Sequence, residues 1–292
     1  MSAVARAEVR PVAAHRPFGY SVGATLSVLK WELRKLVWQK RTYLGFGAAV
    51  LVPLAFVIAL AFKSGSPNDV ALGRYIRESG LATPFVVLEF LSIWGLPLIT
   101  ALVAGDIVAA ESHNGTLKSI LTRSRERGQI FAAKVLATIT YTATVLLAMA
   151  VVALVAASIE WGFKPLTSLS GTQVAATHGL GLLAQSLGIY AVSLLAIASF
   201  GVLLSTVTRN SAASVVGTLM FALLMQVLDV LPGTESIRPY LLSEQFSAWH
   251  GFLRVPADLA PVIRALWVCA LYIVVPFVAA YLVFLRRDVP SA

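Results

Sequence analysis

Six stretches of the chain, 43–62, 84–110, 130–157, 179–207, 211–231 and 262–285, hold no more than two charged residues each, and two of them hold none. At about 1.5 Å of rise per residue, each is long enough to cross a bilayer core of roughly 30 Å as an α-helix. Nothing else in the sequence constrains the fold as much. Only 13% of the residues are charged, against about 25% in an ordinary soluble domain, so the chain lacks the polar surface to face water on all sides. The expected fold is all-α: a polytopic membrane protein with six transmembrane helices forming one domain over 43–286.

Basic residues orient such a bundle. If the six runs cross in alternation, eight Lys and Arg before the first run, five from Lys118 to Lys134, Arg209, and Arg286 with Arg287 make sixteen on one face. The other face receives seven: Lys63, Arg74, Arg77, Lys164, Arg238, Arg254 and Arg264. The positive-inside rule places the sixteen, with both termini, in the cytoplasm. The +9 net charge therefore reads as topology and lipid headgroup contact, with no nucleic acid implied. Some 42 residues, many of them polar or basic, precede the first run, so a cleavable signal peptide is not expected. Residues 1–20 read as a loose cytoplasmic arm. Over 21–42, Leu26, Leu29, Leu33, Leu36 and Val37 recur at helical spacing while Lys30, Arg34 and Arg41 take another face. That pattern predicts an amphipathic interface helix, with Trp31 and Trp38 at headgroup depth.

The intramembrane acids need a reading, because an Asp at mid-span costs roughly 2.5–3.5 kcal/mol on insertion scales. Asp106 and Asp229 fall near the ends of their runs and read as interfacial or structural. Glu89 lies deeper and reads either as binding a neighbouring span or as lining the outer part of a transport pathway. Gly95 and Pro97 then predict a kink in that second run. The four histidines are scattered without i, i+4 pairing, and Cys269 has no partner, so no metal site, cofactor or disulfide is expected.

The loop after the second run is short, basic and patterned. Asn114 and Gly115 favour a turn, and Leu117, Ile120 and Leu121 then give a one-turn apolar stripe suited to a groove on a cytoplasmic partner. Taken in order, Glu111, Gly115, Thr116, Leu117, Leu121, Thr122, Arg127 and Lys134 resemble a pattern of the ABC-2 type permeases, the membrane subunits of ATP-binding-cassette exporters. Where that family often has a proline after the Leu-Thr pair, this chain has Arg123, Ser124 and Arg125. Six spans, a preceding amphipathic helix, a short fourth loop and a last segment over 232–261 agree with the same plan. In that last segment Tyr240, Leu241, Phe246, Trp249 and Phe252 are expected at the outer membrane interface.

The resemblance implies a plasma-membrane exporter of a hydrophobic or amphipathic compound. Two permeases, identical or different, would pair with two ATPase subunits. No G-x-x-x-x-G-K-[ST] phosphate loop occurs in the sequence, so ATP and Mg are expected on a separate ATPase and no enzymatic role on this chain. Glu111, Gly115, Thr116, Leu117, Leu121, Arg123, Arg125 and Arg127 would couple it to that ATPase, with Arg209 and Asn210 as a secondary cytoplasmic contact. Three other classes compete. An importer permease would need a Glu-Ala-Ala six residues before its Gly, which is not present. A secondary transporter or channel would use Glu89 directly. An intramembrane enzyme lacks H-E-x-x-H and G-x-S-x-G.

Overall fold

The computed structural model describes residues 22–62, 65, 70–113, 127–208 and 210–286. Among these the chain is almost entirely helical, and six helices are long and apolar enough to cross a membrane. Helix α1, Val22–Val37, is separated from α2, Lys40–Phe62, by a two-residue break at Trp38 and Gln39. A 3-10 turn, Gly73–Tyr75, leads into α3, Ala82–Ile93. That helix breaks at Trp94, and α4, Gly95–Ala104, continues it into a non-helical turn and the short α5, Ala109–His113. The interruption expected from Gly95 and Pro97 is thus a break one residue ahead of Gly95, with Trp94 leaving helical geometry at φ −133°.

Helix α6, Arg127–Trp161, has 35 residues and spans about 52 Å, well beyond an apolar bilayer core. A two-stranded antiparallel hairpin follows, β1 Leu166–Thr167 paired with β2 Gln173–Val174. Helices α7, Ala176–Thr208, and α8, Ser211–Val230, come next. A strap over 232–259 then carries the 3-10 turns Arg238–Tyr240 and Ala248–Leu253 around the four-residue α9, Leu242–Gln245, and α10, Ala260–Leu285, closes the bundle.

Helix α7 is the centre, packing most extensively against α10 and also against α4, α6 and α8, while α6 carries α1, α2 and α3 on its other side. Small residues let these helices approach. A Cβ placed on Gly201 in α7 would come within 2.8 Å of the Ala104 Cβ on α4, and one on Gly105 within 3.0 Å of the Val215 Cα on α8. The outward faces remain apolar: Leu51, Phe62, Ile159, Leu224 and Val275 are all more than half exposed. Such a surface is far larger than the apolar patches water tolerates on a soluble monomer.

The strap differs from expectation. Trp249 is 1% exposed and stacks on Phe85 of α3, with ring centroids 5.7 Å apart, and Leu241 and Phe246 are buried as well. These side chains pin the strap to the bundle instead of resting at an interface, because Phe85 of α3 and Tyr190 of α7 present rings that Trp249 and Phe246 cover. Tyr240 alone of the five is largely exposed. Hydrogen bonds add to the anchoring, from Ser243 Oγ to the Met225 carbonyl and from Leu169 N to the Leu253 carbonyl.

Candidate functional site

The end of the bundle where α1, α5 and α6 meet holds four charged side chains in mutual contact. Lys134, seven residues into α6, is fully buried and donates to Glu32 Oε1 at 2.9 Å and to the Ile107 carbonyl at 3.2 Å. Its ammonium also lies 2.7 Å from Glu111 Oε1. Lys35, on α1, bridges the same two carboxylates, lying 3.1 Å from Glu32 Oε2 and bonding Glu111 Oε1 directly. Two acids face two bases, so the group is neutral as a whole. That balance is what allows it to be buried, since an unpaired charge in such a place costs several kcal/mol, in the range of about 3–5 when one partner is removed.

Local sequence explains the assembly. Glu32 and Lys35 are i, i+3 neighbours, so they share one face of α1, beside Leu29, Leu33 and Leu36, which pack on the core. Leu26 and Val37 do not join them and are exposed, as are Lys30, Arg34, Trp31 and Trp38. Burial by itself would push the Lys35 ammonium down, but Glu111 and then Glu32 outweigh it and hold it above the usual lysine value. The stability Lys35 contributes is therefore complete below the ordinary lysine range and lost only as pH rises through the raised value. Lys35 therefore gives the cluster no sensitivity around neutral pH.

A second polar link lies alongside. Asp106, in the turn between α4 and α5, pairs with Arg41 of α2 and accepts from the Ser211 hydroxyl at the start of α8. The turn is held by Ser205 of α7, whose hydroxyl oxygen accepts from Val108 N at 3.1 Å and Ala109 N at 2.9 Å. Asp106 is buried, with these contacts made to α2 and α8.

Of the residues the sequence singles out, Glu111 sits at the centre of the cluster. Arg127 donates to the Leu285 carbonyl at 2.9 Å and so ties the start of α6 to the end of α10. Asn210 caps α8, its side chain accepting from Ala213 N at 3.1 Å. Gly115, Thr116, Leu117, Leu121, Arg123, Arg125 and Arg209 lie outside the described residues, as does the arm over 1–20. Glu89 is far from the cluster, at the opposite end of the bundle, where His250 of the strap lies 2.9 Å from its carboxylate. Glu32, Lys35 and His250 went unflagged. A Glu and a Lys one turn apart among leucines are the only trace of the first two, and nothing local marks His250, whose partner lies 161 positions away.

A family model described as a protein of unknown function (DUF2705) matches residues 50–290. The chain belongs to this family. No curated protein matches it. The matched stretch contains Glu111, Lys134, Asp106, Glu89 and His250 and begins after Glu32, Lys35 and Arg41. The buried cluster thus joins the DUF2705 region to the helix that precedes it. Among the described residues, no group of three or more His, Cys, Asp and Glu could hold a metal ion.

Proposed function

We propose that this chain spans the membrane six times, with both termini cytoplasmic, and serves as the permease subunit of an ABC-2 type ATP-binding-cassette exporter. A separate ATPase would supply ATP hydrolysis, two copies acting on a pair of permeases, and the cargo would be hydrophobic or amphipathic. The observation that supports this most is the buried contact between Glu111 and Lys134, the two charged ends of the patterned loop, both joined to α1 through Glu32 and Lys35.

The arrangement suits force transmission. An ATPase gripping the segment 114–126 would displace Glu111 first. Because separating Glu111 from Lys134 in a buried place costs several kcal/mol, α1, α5 and α6 move together in preference to breaking their link. The exposed Trp31, Trp38, Lys30 and Arg34 give α1 the side chains of a helix lying at the headgroups of the cytoplasmic leaflet.

Affinity purification of the tagged chain in mild detergent tests the proposal. A separate ATP-binding-cassette ATPase is expected to co-purify, and Leu117→Asp is expected to abolish its association while leaving membrane insertion intact. If no such ATPase appears under conditions that preserve membrane complexes, the export reading fails and a carrier or channel using Glu89 takes its place.

A further inference from the structure

At the end of the bundle opposite α1, the broken tip of α3, the last turns of α8 and the strap line an open cavity of about 470 Å³. That volume falls in the range of small-molecule sites, about 300–1,000 Å³. Glu89, Asp229 and Glu244 line it, no Lys or Arg does among the described residues, and the remaining wall includes Trp94, Leu223 and Phe246. The carboxylates are weakly matched. Among the described residues Glu89 pairs with the imidazole of His250, at 2.9 Å, which is a charged pair only when that ring is protonated. Asp229 has Arg238 at 3.5 Å, and Glu244 has no ion pair among the described residues. Of the other cations nearby, Arg254 is engaged with Asp258 at 3.1 Å, and Arg264 lines a smaller cavity of about 200 Å³ that shares Glu244. Behind Phe246, the fully buried Tyr190 hydroxyl has no hydrogen-bond partner among the described residues. The cavity thus sets three carboxylates beside the apolar Trp94, Leu223 and Phe246, with few cations among the described residues to meet them.

We propose that this cavity binds an organic cation with an aromatic or branched apolar body, its positive centre held between Glu89 and Asp229. A diffuse organic cation is cheap to desolvate, packs against the apolar part of the wall, and adds positive charge where three carboxylates have only Arg238 and His250 among the described residues. Trp94, more than half exposed at the cavity wall, offers a ring face to the same charge. His250, 2.9 Å from the Glu89 carboxylate, would yield it to a stronger charge. This reading rests on the export proposal only in making the cation a substrate; binding itself needs no ATPase.

The test is equilibrium binding of radiolabelled tetraphenylphosphonium to the purified full chain in detergent. Saturable binding is expected, displaced by unlabelled tetraphenylphosphonium but not by triphenylphosphine oxide, which keeps the aryl body and lacks the charge. Glu89→Gln and Asp229→Asn are each expected to weaken it roughly tenfold, the loss of one charged contact. Size-exclusion profiles establish that each variant is folded, and Asp229→Asn carries the test if Glu89→Gln is not. No saturable binding, displacement by the neutral compound, or unchanged affinity in a folded variant overturns the proposal. Co-purification of an ATPase is read separately, so failure of the cation site and failure of the export reading give different results.

Discussion

At the scale of single residues, Lys134 carries the clearest energetic consequence. An ammonium with no exposure survives there because Glu32, Glu111 and the Ile107 carbonyl surround it. Replacing it as Lys134→Met leaves two buried carboxylates with Lys35 alone between them. The expected loss is about 3–5 kcal/mol, measured as a drop in thermal unfolding temperature in detergent. Adding Glu111→Gln to that variant removes one of the stranded charges and is expected to recover part of the loss, a coupling that a double-mutant cycle detects. Simple additivity of the two substitutions would mean that the four side chains do not act as a unit.

At the scale of elements, the close approach of α4 to α7 decides how the bundle is built. Gly201 has no room even for a methyl group, since its Cβ would sit 2.8 Å from the Ala104 Cβ and 3.3 Å from Gly105 N. Both are backbone-fixed neighbours that cannot swing away. Gly201→Val is therefore expected to force α4 and α7 apart and to destabilise the bundle by about 1–3 kcal/mol, the usual cost of overpacking. The same displacement would loosen the Asp106 turn that Ser205, one helical turn further along α7, holds by two backbone amides. An unchanged unfolding temperature in Gly201→Val would show that α4 shifts freely on α7 and that this seam is not rigid.

At the scale of the whole molecule, the proposed orientation, argued from charge asymmetry, is one that labelling can read. Cys269 is buried, so thiol labelling in the starting protein is expected to be slight. Lys30→Cys on the exposed face of α1 and Gln173→Cys on the exposed hairpin strand stand at opposite ends of the bundle. A membrane-impermeant maleimide applied to intact cells is expected to label Gln173→Cys and to reach Lys30→Cys only after lysis. The reverse pattern would invert the proposed topology and place the basic loop outside, where no ATPase could grip it.

Six apolar runs, a helix before the first and a break near Gly95 are all legible in the order of residues, because helix length, hydrophobic periodicity and glycine or proline breaks are local properties. Glu111 and Lys134 both fall in the pattern around the second loop, but nothing in the sequence pairs them. Three-dimensional packing alone decided that these two meet Glu32 and Lys35 in a buried neutral cluster, that Trp249 and Phe246 are anchors within the bundle, and that His250 faces Glu89. The reason is physical. A charge or an aromatic ring in a sequence window looks the same whether it ends in solvent, in lipid or against a partner. Which of these it meets depends on how helices far apart in the chain pack, and the free energy of pairing is realised only where they touch.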